Sequence, residues 1–224
     1  GMYLEGNLTI NSGTIHAYST KETLSYDGKD NEAYCECYGI YVMKNAIAGD
    51  MIVNGGTVVA EGTPNIDAKS TGDSATGVSG GIFVQNKLTI NDGAVTANGA
   101  ESITVSGKSG SLNQARSVGV ALKHLAVNGG SLSANSKKVC DNTSSNQSYG
   151  IWSYDTFSSD GINASITISR GSVLATSGGM AVSANSLSLA DGVTAQVSTD
   201  MNGTGPIEYT NGTNLEQYKW FSAN

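Results

Sequence analysis

Proline is almost missing from this sequence, with two residues in 224, and charged residues make up only 14% of it. Disordered chains are rich in both, so a folded chain is expected. Basic residues are outnumbered 12 to 19, a net charge of −7, which excludes a nucleic-acid backbone or an anionic membrane surface as partner because both would repel it. No apolar run reaches about 18 residues, so no membrane insertion is expected. There is no charged-then-apolar leader either, and any export signal is expected upstream. No segment sustains the helical period of about 3.6. The two histidines, His16 and His124, fall in unlike slots about three repeats apart, which leaves no histidine pair or triad. Cys35, Cys37 and Cys140 are odd in number and lack metal-ligand spacing, so they read as three free thiols. A disulfide would require two distant segments to meet.

What is abundant is glycine, 29 residues, and a recurring phrase. Leu8-Thr9-Ile10-Asn11-Ser12-Gly13-Thr14-Ile15-His16-Ala17 starts again at Met51, Leu88, Leu125, Ile166 and, one residue short, at Leu187. Each copy is apolar-polar-apolar, an Asn/Gly turn, then polar-apolar-polar-small: two short strands around a corner. A second phrase precedes each: Gly1-Met2-Tyr3-Leu4, Gly39-Ile40-Tyr41-Val42, Gly81-Ile82-Phe83-Val84, Gly119-Val120-Ala121-Leu122, Gly150-Ile151-Trp152-Ser153 and Gly179-Met180-Ala181-Val182. Three strands returning in the same order make one rung of a parallel β-solenoid. The expectation is an all-β, right-handed parallel β-helix of about six rungs over residues 1–199. Residues 200–224 follow as an irregular strand or cap of the same domain, with Tyr218, Trp220 and Phe221 placed to lid the last rung. Since the array opens in mid-pattern, the chain reads as a fragment of a longer protein, a monomer or one stretch of further repeats.

The turn glycines Gly13, Gly56, Gly93, Gly130, Gly171 and Gly192 are spaced by 43, 37, 37, 41 and 21 residues. The shortest interval is the bare rung. The others carry insertions at roughly 18–38, 61–80, 98–118 and 135–149, read as loops stacked on one side. The rival reading, two irregular rungs per long interval, has one strand in its favour, Ser102-Ile103-Thr104-Val105-Ser106. The remaining insertions lack alternating apolar residues. The fourth repeat also lengthens its other corner, over 154–165.

Strand parity sorts the side chains. Leu8 and Ile10, Leu88 and Ile90, Leu125 and Val127, Ile166 and Ile168 fill the interior, as do Ile40 and Val42, Ile82 and Val84, Val120 and Leu122 on another wall. Stacking supplies the core, because one rung is too thin to bury them. Asn11, Asn54, Asn91 and Asn128 occupy one corner, followed by Ser169 and Ala190, and read as a structural amide ladder beside glycines of positive φ.

With these phrases in hand, residues 1–199 resemble a bacterial carbohydrate-binding β-helix family whose repeats read L-T-I-x-G-G-T-V-x-A followed by G-I-x-A, and whose fold is that of the polysaccharide lyases. Such phrases also occur in bacterial adhesins. The resemblance implies an exported or cell-surface protein binding plant-type polysaccharide, sometimes with calcium near acidic residues ahead of the Gly-Ile phrase. Here those positions are Cys37-Tyr38, Ser79-Gly80, Ser117-Val118, Ser148-Tyr149 and Ser177-Gly178. None is acidic, so the calcium inference does not carry over.

Other chemistry is thin. Asp27, Asp30 and Glu32 in the first insertion, with Asp67 and Asp73 in the second, are the hard-cation candidates: they offer a calcium cluster if the two insertions touch, and solvated acidic loops are the preferred reading. A lyase needs a base beside a neutralising charge, yet the two arginines, Arg116 and Arg170, have no acidic cluster in register. Asp92 and Asp191 share a turn slot on separated rungs, unlike a glycosidase pair. The leading site is the outward slot of the Gly-Ile phrase, which holds Tyr3, Tyr41, Phe83, Ala121, Trp152 and Ala181. Rings about 4.8 Å apart offer a platform for successive sugar units; they equally fit a pleated surface beneath the insertions. The expected function is therefore non-catalytic polysaccharide binding, with Tyr3, Tyr41, Phe83 and Trp152 as ligand-binding residues and no cofactor. An adhesin-like protein-binding spacer and a polysaccharide lyase or glycoside hydrolase stand as the alternatives.

Overall fold

The computed structural model describes residues 1–20, 24–28, 32–44, 49–71, 74–107, 113–137, 145–153 and 164–224. Among these the chain is all-β, without helix. The first copy contains β1 (Met2–Glu5), β2 (Leu8–Ile10) and β3 (Thr14–Tyr18). The second begins with β4 (Leu24–Gly28) and runs through β5 (Glu32–Met43), β6 (Met51–Val53) and β7 (Thr57–Glu61). The third has β8 (Asn65–Ser70), β9 (Ser74–Ile90) and β10 (Ala94–Asn98). The fourth has β11 (Ser102–Ser106), β12 (Gln114–Val127) and β13 (Ser131–Ser136), and the fifth β14 (Ser145–Ser153), β15 (Ser165–Ile168) and β16 (Ser172–Ser177). The last comprises β17 (Met180–Ser183), β18 (Ser186–Leu189) and β19 (Ala195–Ser198), with β20 (Ile207–Glu208) and β21 (Trp220–Ala223) after it.

Like strands stack in parallel. One wall runs β1-β5-β9-β12-β14-β17, a second β2-β6-β9-β12-β15-β18 through the far halves of β9 and β12, and a third β3-β7-β10-β13-β16. This is a parallel β-solenoid, as the repeat demanded. Parity holds: Ile40, Val42, Ile82, Val84, Leu88, Ile90, Val120, Leu122, Val127 and Ile168 are fully buried in one aliphatic core. Val58, Ala60, Val95, Ala97, Leu132 and Ala134 close it from the third wall. The turn glycines have φ between 66° and 89°, the region a Cβ disfavours.

The first three insertions are not loops, and most of the fourth, 138–144, lies outside the described residues. β4, β8 and β11 form a parallel three-stranded sheet of their own. It faces the leading halves of β5, β9 and β12 and encloses a second core of Ala33, Cys35, Ile66, Ala68, Ala75, Ala100, Ile103, Val105 and Ala115. The rival reading was nearer, and the reason lies in thickness. This side lobe is so narrow that alanine fills it; a Cβ on Gly77 would stand 2.8 Å from Ile103 Cγ2. Strands whose inward residues are Ala, Gly and Cys carry no conspicuous apolar alternation. The long strands β5, β9 and β12 cross from the side lobe into the main one without a break, so each of these three copies has the outline of a figure of eight.

The last copy also departs from the repeat. Met180 pairs with Tyr149, Val182 with Ile151 and Ser183 with Trp152, so Ser183 and not Ala181 continues the Tyr41 slot. Without an insertion the chain passes directly from β16 to β17, and the phrase slides by two residues. On the third wall β21 lies antiparallel between β16 and β19. Phe221 and Tyr218 are thereby buried within the main core.

Candidate functional site

The two lobes meet at a waist, where the backbone of each copy passes close to itself. A Cβ on Gly81 would fall 2.5 Å from Asn98 N, and one on Gly119 2.6 Å from Asn135 N. No other residue fits there. Buried hydroxyls stitch the crossing: Ser79 Oγ donates to the Thr63 carbonyl at 2.8 Å, Ser117 Oγ to Ala100 at 3.1 Å and Ser148 Oγ to Lys137 at 2.6 Å. The waist has two outer faces, and they differ in chemistry.

The first face carries the aromatic column. Tyr3, Tyr41, Phe83, Ala121 and Trp152 are in register, as the phrase predicted. Their rings, however, stack on one another: Tyr3 on Tyr41 at 5.6 Å between centroids, Tyr41 on Phe83 at 4.4 Å and 9°. Tyr38 adds tilted contacts to Tyr41 and Phe83 at 5.3 and 5.4 Å. Tyr149 covers one side of Trp152 at 5.4 Å, and the Arg116 guanidinium lies 4.3 Å from the ring centroid. The bend at the waist brings Tyr38 and Tyr149 onto the outward face of the phrase. Phe83, expected to face solvent, is 4% exposed, whereas Tyr3 is 59% exposed and Tyr41 and Trp152 are half-buried. The expectation of solvent-facing rings is therefore corrected at Phe83. Burial pushes the Tyr41 and Tyr149 hydroxyls above their usual range, so both remain protonated.

The second face is a groove of about 470 Å³. One wall is a single column of side chains, the residue after the small one that closes each phrase: Tyr18, Glu61, Asn98, Asn135 and Thr176. The facing wall belongs to the side lobe and the chain leading to it, with Pro64, Glu101 and Lys137. Asn135 Nδ2 donates to Asn98 Oδ1 at 3.0 Å, and Thr176 Oγ1 donates to Asn135 Oδ1 at 2.9 Å. Tyr18 is 42% exposed at one end, and Met201 stands at the other. Lys137 Nζ pairs with Glu101 Oε1 at 2.9 Å, and His16 Nε2 shares a hydrogen bond with Glu61 Oε2 at 3.1 Å. Five rungs span about 19 Å at about 4.8 Å per step.

The corner ladder is as expected. Asn54 donates to Asn11 at 2.9 Å, Asn91 to Asn54 at 2.8 Å and Asn128 to Asn91 at 2.9 Å. His124 Nδ1 sits 2.9 Å from Ser165 Oγ, far from His16. Arg116 Nε donates to Gln147 Oε1 at 3.0 Å, and Arg170 is exposed at its turn. Asp92 accepts from its neighbour Gly93 N at 2.7 Å. Of the hard-cation candidates, Asp67 is paired with Lys69 at 2.7 Å. The side chains of Asp27, Asp30, Glu32 and Asp73, as well as Cys140 and 154–163, lie outside the described residues. Cys35 and Cys37 are free thiols whose sulfurs are 3.8 Å apart. The hydrogen bond the two sulfurs share, in which either can be the donor, lowers the Cys37 thiol and raises Cys35.

No family model, no curated protein and no solved structure matches this chain.

Proposed function

We propose that this solenoid binds a neutral polysaccharide, without transforming it, along the polar groove of the waist, as an exported or cell-surface protein. The carrying observation is that groove's repeated wall: Tyr18, Glu61, Asn98, Asn135 and Thr176 at one-rung spacing. A polymer with a regular repeat is the ligand that profits from such a wall, since each unit meets an equivalent set of donors and acceptors. The exposed Tyr18 ring supplies an apolar face at one end, and the side-lobe wall supplies depth. Neutral sugar is favoured because Lys137, the cation of the groove lining, is matched by Glu101, leaving no cationic excess to attract an acidic chain. Binding without chemistry follows from the same pairs. A general acid requires a carboxyl held protonated by burial, and both groove carboxylates are solvent-accessible, Glu101 bonded to Lys137 and Glu61 to His16.

The aromatic face is the second placement for the glycan. Sugar stacking requires a free ring face, and there Tyr41 and Trp152 have theirs largely taken by Tyr3, Phe83, Tyr149 and Arg116.

Affinity electrophoresis in neutral polysaccharide gels tests both placements. Tyr18→Ala with Asn135→Ala is expected to lose retention by about tenfold or more in affinity, from one stacking contact and the hydrogen bonds of one amide. Trp152→Ala is expected to retain it. The reverse pattern moves the site to the aromatic face. Retention that soluble oligosaccharide fails to compete favours a protein-binding spacer, and release of new reducing or unsaturated ends favours an enzyme.

A further inference from the structure

We propose that Cys35 and Cys37 form a dithiol site that takes up one soft, thiophilic metal ion, with both sulfurs as ligands and the Ser19 and Thr63 hydroxyls beside them. This site is separate from the groove and independent of any glycan.

The two cysteines are at i and i+2 of β5, so both point to the same side of the strand, inward at the junction of the side lobe and the waist. Cys35 packs within the small side-lobe core and is 6% exposed; Cys37 stands at its margin, half-buried. Cys37 is in register with Ser79, which is followed in the stack by Ser117 and Ser148. Those serines each hand a hydroxyl proton to a carbonyl across the waist. In this one copy sulfur replaces oxygen. Around it lie Ser19 and the buried Thr63, whose Oγ1 donates to Ser19 Oγ at 3.2 Å.

Geometry separates metal capture from disulfide formation. Residues i and i+2 of an extended strand have Cα atoms about 6.6 Å apart, near the upper limit of disulfide reach. A metal does not require the sulfurs to touch. With sulfurs 3.8 Å apart and metal–sulfur bonds of about 2.3 Å, the S–M–S angle is about 110°, close to tetrahedral. Thiolate ligands select soft ions of the copper(I) and zinc kind over calcium or magnesium. Among the described residues no group of three His, Cys, Asp or Glu gathers into a metal cluster, so the remaining positions fall to hydroxyl or water. Access is through a pocket of about 350 Å³ that Cys37 lines with Gly1, Ser19 and Glu36.

The test is titration of the reduced full chain with Cd²⁺ alone, read by the thiolate-to-metal charge-transfer band in the ultraviolet. One equivalent per chain is expected. Cys37→Ser, which restores the residue of the other copies, and Cys35→Ala, which matches its stacked neighbours Gly77 and Ala115, are expected to keep the fold by circular dichroism and to weaken uptake at least tenfold. Cys140→Ser is expected to change nothing. No band in the parent chain overturns the proposal. So does a band that survives both single variants, or one lost with Cys140→Ser, or a stoichiometry of one ion per two chains.

Discussion

The main lobe and the side lobe are two solutions to one problem, how to close a stack of thin rungs, and they are built along the same strands. In β9 the leading half turns Ala75, Gly77 and Ser79 inward and the trailing half Ile82, Val84, Leu88 and Ile90. The main lobe is held by volume: branched aliphatics from three walls, a core continuous through every copy. The side lobe is held by closeness. Its sheets approach until alanine suffices, with Ile66, Ile103 and Val105 as the larger pieces, and the waist serines and glycines fix it to its neighbour. A given burial thus arises from bulk or from proximity, and only bulk leaves a conspicuous mark in a sequence. Solenoid stability is a sum over copies and their interfaces, so the two lobes need not fail together.

The sharpest way to break this contrast is to damage each lobe in adjacent copies and ask how far the damage spreads. Ile90→Asp places an unpaired charge between stacked rungs of the main core, with a cost above the roughly 2 to 5 kcal/mol of large-to-small core changes. Loss of the cooperative melt is expected in thermal circular dichroism, and a parent-like melt would invert the inward assignment. Ile103→Ala leaves a cavity between β11 and β9 and is expected to cost about 2 to 4 kcal/mol. Hydrogen exchange is expected to rise in β8 and β11 while the main-core strand segments at Leu88–Ile90 and Leu125–Val127 stay protected. Exchange that rises equally in both lobes would mean that they fold as one unit. The smallest effect belongs to the corner: Asn91→Ala removes two exposed amide hydrogen bonds and is expected to cost about 1 to 2 kcal/mol. A change in melting temperature beyond a few degrees would give the ladder a larger part than the cores leave for it.

How much of this was readable beforehand follows the same division. The main lobe was legible residue by residue because Ile, Val and Leu at period two repeat with the Asn/Gly corner. The side lobe was taken for loops because Ala33, Ala68, Ala75 and Ala115 do not register as a hydrophobic pattern. The Tyr41–Phe83–Trp152 column was visible from its slot, but ring-on-ring stacking depends on the bend that brings Tyr38 and Tyr149 alongside. The groove was missed altogether. Its wall is chemically mixed, and only aligning the residue after Ala17, Ala60, Ala97, Ala134 and Ala175 collects Tyr18, Glu61, Asn98, Asn135 and Thr176 into one line. Met180 was misplaced because a phrase match carries no information about a shortened corner.

The corner ladder has a direction. Side-chain amides donate from each copy to the one before it, and the backbone at the same corner does likewise, Asn54 N to Ile10 O at 2.7 Å, Asn91 N to Val53 O and Asn128 N to Ile90 O at 2.8 Å. The second ladder, from Thr176 through Asn135 to Asn98, runs the same way. Hydrogen bonds in such a chain polarise one another, and dipoles that point alike add where those of alternating strands cancel. These two ladders are therefore electrical vectors as well as staples: along the axis each has a donor end and an acceptor end, even though other backbone bonds, such as Gly62 N to Asn98 O and Gly99 N to Asn135 O, point the opposite way.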